Sequence, residues 1–131
     1  MKDDVLEDIY SYLVATALRR YKDIIYEIVK IETSPGVLVK VRVIFTDSSF
    51  LDIYWSPSGK YSLHYERRHL NGTLYRHDNA PHEKHRHIET FPKHFHKGKE
   101  DAVEPSCIPE NPIRAIDVFL EFIAKLIRTR K

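Results

Sequence analysis

Residues 37–46 read VLVKVRVIFT. Val39, Val41, Val43 and Phe45 alternate with Lys40, Arg42 and Ile44, the period of two that a half-buried strand shows and a helix does not. The reading extends outward in both directions. Upstream, Ser34-Pro35-Gly36 is a turn, and the β-branched run IIYEIVKIET at 24–33 pairs back as a strand. Downstream, Asp47-Ser48-Ser49 turns the chain into FLDIYW (50–55), whose Leu51, Ile53 and Trp55 share one face. Ser56-Pro57-Ser58-Gly59 turns it again into KYSLHYERRH (60–69). There Tyr61, Leu63 and Tyr65 share one face, and Ser62, His64, Glu66 and Arg68 the other. Asn71-Gly72 is a two-residue hairpin signal leading into TLYRHD (73–78). Connections this short exclude parallel crossovers, so the expectation is an antiparallel meander of about five strands.

Helices flank this sheet. Val5, Leu6, Ile9, Tyr10, Leu13, Val14, Ala17, Leu18 and Tyr21 recur at helical spacing, with Asp3, Asp4, Glu7, Asp8, Ser11, Arg19 and Arg20 opposite them. Acids first and arginines last suit the helix dipole, and the spacing predicts a helix over roughly 3–21. Near the end, Asn111 is a fitting N-cap and Pro112 a fitting first residue. Arg114, Asp117, Glu121, Lys125 and Arg128 then form one polar stripe, read as solvated at Asp117 and Glu121, and Arg128, Arg130 and Lys131 end the helix in positive charge. Ile113, Ile116, Phe119, Leu120, Ile123, Leu126 and Ile127 cover the rest. So wide an apolar face packs on the sheet and the first helix, and a second copy of the chain could cover the remainder as a homodimer. The expected fold is one α+β domain over 1–131, with both helices on one face of the sheet and a long histidine-rich loop before the last helix. The other face is left partly polar, with His64, Lys40 and Arg42 on it.

Composition narrows the function classes. The 131 residues, 42% hydrophobic and 31% charged, are ordinary globular material with one sizeable core. The apolar runs are too short and too interrupted by charge to span a bilayer. Met1-Lys2-Asp3-Asp4 carries acids where a signal peptide would be basic and then apolar, so the expected location is cytoplasmic. The single Cys107 excludes an internal disulfide and a multi-cysteine zinc site, and is read as a small semi-buried residue. Phosphate-loop, GxGxxG, GxSxG and HExxH patterns are absent. A net charge of +2 is too mild to name a polyanion as partner.

The informative stretch is RHDNAPHEKHRHIETFPKHFH at 76–96, which holds six of the eight histidines. It opens a segment, 78–110, of about 30 residues with little periodicity, and connectors that long are functional or disordered. Prolines stiffen it and Phe91 and Phe95 can pin it to the body, so it reads as an ordered excursion with a short extended piece near RHIETF. Four readings fit its histidines. Zinc or a similar divalent ion could be held by His85, His87, His94 and His96, two i, i+2 pairs. Metal-independent acid–base catalysis is the second, because imidazole moves protons near neutral pH and Lys84, Arg86, Lys93 and Lys97 surround it. The third is binding of nucleic acid without chemistry, through phosphates and stacking. In the fourth, the histidines cap turns and face solvent.

LYRHDNAPH, followed by HRH and FPKHFH, with YSLHY upstream at 61–65, resembles the central motif of the TumE-like proteins. These are small prokaryotic and archaeal proteins classed as toxin components of type II toxin–antitoxin modules. The resemblance covers roughly 37–106. It carries over to Tyr61, Ser62, His64, Asp78, Asn79, His82, His85, Arg86, His87, His94 and His96. One position departs: His77 stands before Asp78 where an aromatic is expected. The family implies growth inhibition restrained by a separate antitoxin, commonly a helix-turn-helix protein. RNA cleavage, the commonest activity of small toxins, follows by analogy alone.

The expectation from sequence is therefore a metal-independent RNA endonuclease with its site where the loop meets the sheet. Its acid–base candidates are His64, His82, His85 and His87, with Asp78 orienting one of them. Arg76, Lys84, Arg86, Lys93 and Lys97 are the candidates for holding nucleic acid. The alternatives are a non-catalytic nucleic-acid- or partner-binding module and a metal-dependent hydrolase.

Overall fold

The computed structural model describes residues 4–129. Asp3, at the start of the expected first helix, and Arg130 and Lys131, at the end of the last, lie outside the described residues. The sheet runs β1 (Ile25–Ser34), β2 (Val37–Phe45), β3 (Phe50–Trp55), β4 (Tyr61–Arg67), β5 (Thr73–Asp78), β6 (His94–Gly98) and β7 (Val103–Pro105), each antiparallel to the next. Before it come α1 (Val5–Tyr12), a π-helical turn (Leu13–Ala17) and α2 (Leu18–Arg20). A short α3 (Arg68–Asn71) sits between β4 and β5, and α4 (Pro112–Arg128) follows the sheet.

The alternation in 37–65 sorts as expected. Val41, Val43, Phe45, Leu51, Ile53, Trp55, Tyr61, Leu63 and Tyr65 are buried. They meet Ile9, Leu13, Ala17 and Tyr21 from the first helical segment and Ile116, Phe119, Leu120 and Ile123 from α4 in one core. Those four N-terminal residues are spaced by four. At 3.6 residues per turn such a row drifts by about 40° a step. The wider π turn at Leu13–Ala17 takes up that drift and keeps the row on the sheet. Val14 and Leu18 fall off the row and are 44% and 36% exposed. Asp4 and Asn111 cap α1 and α4, accepting from the Glu7 and Arg114 N–H groups at 3.2 and 3.0 Å. Asp117 and Glu121 are not simply solvated. The Tyr12 hydroxyl donates to Asp117, and the Tyr21 hydroxyl to Glu121 at 2.9 Å, tying α4 to the first helical segment.

The sheet has seven strands rather than about five. β6 and β7 lie inside what reads as a loop, because β6 alternates His94 and His96 with Phe95, all three buried. A strand with imidazoles on one face and a single phenylalanine on the other carries no hydrophobic alternation to read. The extended piece expected near RHIETF is not formed there; Arg86–Phe91 is a run of turns, and the strand starts at His94. Asn71-Gly72 does not close a two-residue hairpin. β4 ends at Arg67, because the Glu66 carboxylate accepts from the Arg68 N–H at 2.7 Å and the chain turns into α3. Gly72, at φ +80°, ends that turn. Cys107 is exposed, not semi-buried.

Candidate functional site

Strand alternation divides β5 between two worlds. Tyr75 and His77 lie on the face that α4 covers, where Phe122 and Phe119 pack on them edge-on. Arg76 and Asp78 point to the open face. Register then sets their neighbours. Asp52, His64, Arg76 and His96 stand opposite one another across β3 to β6, and Ser62, Asp78 and His94 form the adjacent row. Residues far apart in the chain thus share one polar surface.

Arg76 is its centre. Its Nη1 lies 3.3 Å from His64 Nδ1 and its Nη2 3.2 Å from His96 Nε2. Its Nε donates to Asp78 at 3.0 Å, and its Nη1 and Nη2 donate to Glu100 at 3.1 and 2.5 Å. His64 Nε2 is 2.8 Å from Glu66. Arg42 and Lys40 hold Asp52 at 2.7 and 2.8 Å. Three adjoining hollows of about 290, 400 and 460 Å³ run along this face, and Arg76 borders all of them. The first is walled by Asp78, His82, Lys84, His85, His94, His96 and Glu100, the third by Lys40, Asp52 and His64.

The carboxylates here are kept ionised. Burial alone would raise the Asp78 carboxyl; His96 when protonated, the Ala80 N–H, His94 when protonated and Arg76 outweigh it and hold it at about 2. Arg68, against burial and with help from His64, holds Glu66 at about 2. Arg76 likewise lowers Glu100. His85 is pushed below the ordinary imidazole value by burial first, then by Lys84 and by the charge His94, His96 and His82 carry when protonated.

His94 and His96 are fixed by backbone. Each Nδ1 faces a carbonyl, Pro92 at 2.9 Å and Glu100 at 2.7 Å. A carbonyl only accepts, so each Nδ1 carries the proton and each Nε2 of the neutral ring carries a lone pair. His94 Nε2 is 3.0 Å from Asp78 Oδ1 yet makes no hydrogen bond, since the contact is off-line. His85 enters from the 3₁₀ turn Glu83–His85, its ring 4.6 Å from that of His94 and 6.0 Å from that of His96.

Of the residues singled out by sequence, the groove gathers His64, Arg76, Asp78, His82, Lys84, His85, His94 and His96, and its second hollow adds Tyr61, Ser62 and Asn79. His87 and Arg86 are exposed and away from it, Arg86 pairing with Glu83 at 3.3 Å. Lys93 donates to the Ile108 carbonyl at 2.7 Å, and Lys97 stands opposite Tyr75 on the helix side of the sheet. Asn79 accepts from the Tyr61 N–H at 3.0 Å and donates to the Gly59 carbonyl at 2.8 Å. Tyr61 is buried, stacked on Trp55 at 4.4 Å. Two partners were not singled out as site residues, Glu66 and Glu100. Glu66 was legible, lying two residues from His64 on the same strand face; Glu100 needed the β6–β7 turn.

A small α+β protein whose bare sheet face is lined by imidazoles and cations is the class that fold and site define. The chain belongs to the TumE toxin family, whose model, described as toxin TumE, matches residues 14–127. That match reaches beyond the central motif into both flanking helices. No curated protein and no solved structure matches it. Among the described residues no helix is long and apolar enough to cross a membrane.

Proposed function

We propose that this toxin inhibits growth by cleaving RNA in the groove and that a separate antitoxin, of the helix-turn-helix kind or another, restrains it. One observation carries the reading: Arg76 borders all three hollows and meets an imidazole on either side. A guanidinium is suited to a bridging phosphate, and an extended groove to a single strand. Glu100, half exposed, is the partner a phosphate would displace from Arg76.

Cleavage needs a base for the 2′-hydroxyl proton, an acid for the leaving 5′-oxygen, and cations for the phosphorane. His64 suits the base. Glu66 fixes its Nε2–H, and a phosphate that engages Arg76 frees its Nδ1. His82, exposed on the rim beside Lys84, suits the acid. The 2′-oxygen bonds to phosphorus, the P–O5′ bond breaks, and His82 supplies the proton to the departing oxygen. The products are a cyclic phosphate and a 5′-hydroxyl.

The test is end-group analysis of RNA incubated with purified protein. Cyclic phosphate ends, lost in His64→Ala and Arg76→Ala proteins that stay folded, support the reading. RNA that is bound but left intact overturns it in favour of a binding module.

A further inference from the structure

We infer that His85, His94 and His96 form a binding site for one divalent transition-metal ion of the zinc class, open toward the groove beside Asp78. One ligand nitrogen or more from each of these three buried rings lies within 4.8 Å of the others. Two rings come from one strand face and the third from the turn above it. Metal-bound histidines donate their other ring N–H to a carbonyl or carboxylate, which sets the tautomer and aims the lone pair. His94 and His96 do this with the Pro92 and Glu100 carbonyls.

A second observation is independent of that one. His94 Nε2 is buried, makes no hydrogen bond, and faces Asp78 Oδ1 at 3.0 Å. With the ring neutral these are two acceptors face to face, a conflict that a proton on the ring or a metal ion would remove. A cation in reach of both resolves the conflict. A tetrahedral zinc ion with bonds near 2.0–2.1 Å sets its ligands about 3.3 Å apart. Binding would therefore draw the three rings closer, mainly through the turn that carries His85. Three imidazoles leave a fourth position toward the groove, where a phosphate oxygen, a water or Asp78 can enter, the open arrangement of catalytic rather than structural zinc.

The set differs from the one read off the sequence: His87 drops out because it lies in the turns after Glu83–His85 and is exposed. It also divides the histidines, leaving His64 and His82 for proton transfer. The site stands whether or not the substrate is RNA.

The experiment is titration of chelator-stripped full-length protein with Zn²⁺, and with Co²⁺ as a visible probe, in the absence of RNA. Expected are one ion per chain, a four-coordinate Co²⁺ spectrum and a higher unfolding temperature. Affinity should fall about a hundredfold or more in His94→Ala and His96→Ala and be unchanged in His87→Ala and His69→Ala. If an alanine variant fails to fold, His94→Gln keeps the bulk and tests the same nitrogen. No saturable binding, or binding that survives loss of both His94 and His96, overturns the site. Either result leaves RNA cleavage to be judged by its own assay.

Discussion

The His77 ring stacks on Phe95 with centroids 4.1 Å apart, and its Nδ1 meets the Ser106 hydroxyl at 2.8 Å. The odd histidine of the family motif therefore occupies an aromatic's place in the core, one residue from the groove. His77→Phe should fold and should inhibit growth as wild type does. Growth curves and a thermal melt check this; a folded but inactive variant would give His77 a role in the chemistry.

The same burial makes His77 acid-sensitive. It is held near 4 against an ordinary 6.5, chiefly by desolvation and then by Lys93. Above pH 6.5 the ring is neutral in both states. As pH falls below that, the unfolded chain takes up a proton that the folded chain refuses until about pH 4. Stability is thus lost between those values, by about 2 kcal/mol from pH 7 to 5. Urea midpoints should fall over that range in the wild type and fall less in His77→Phe.

His85 and His87 are two residues apart in the HRH motif and opposite in setting, one walling the groove and the other in solvent. His85→Ala should abolish growth inhibition while His87→Ala leaves it intact, both proteins folding. Equal effects would mean that this turn rearranges on binding substrate.

Glu66→Gln keeps shape and removes the charge beside His64. RNA cleavage should drop on the order of a hundredfold. The protein should fold with a lower melting temperature, because Glu66 is buried and its carboxylate is held at about 2 against an ordinary 4.5. An unchanged rate would remove His64 as the base.

Asn79 holds the β3–β4 turn to the end of β5. Asn79→Ala leaves the Tyr61 N–H without its acceptor and should cost about 1–3 kcal/mol in denaturant titration.

Which parts were legible follows from what each strand buries. β2, β3 and β4 alternate aliphatic with polar residues and could be read directly, and His64 was placed on the open face by that alternation. β6 could not, because its alternation is imidazole against one phenylalanine. With β6 unread, the pairing of Asp78 with His94 and of Arg76 with His96 was out of reach, and so was the centre of the groove. Grouping His87 with His85 assumes a strand, in which residues two apart share a side; here the 3₁₀ turn ends at His85 and His87 falls in the turns that follow, facing solvent. Lys93 and Lys97 were grouped by proximity in sequence, which says nothing about which side of a sheet a side chain takes.

On β4 and β5 the two jobs interleave residue by residue: Leu63 then His64, His77 then Asp78. On the proposed function, loss of inhibition and loss of folding are therefore expected to be separable by a single codon. If the proposed roles hold, a harmless gene that still yields a native product lies one substitution away at His64 or His85, and such a product would be the bait with which an antitoxin can be fished from cells.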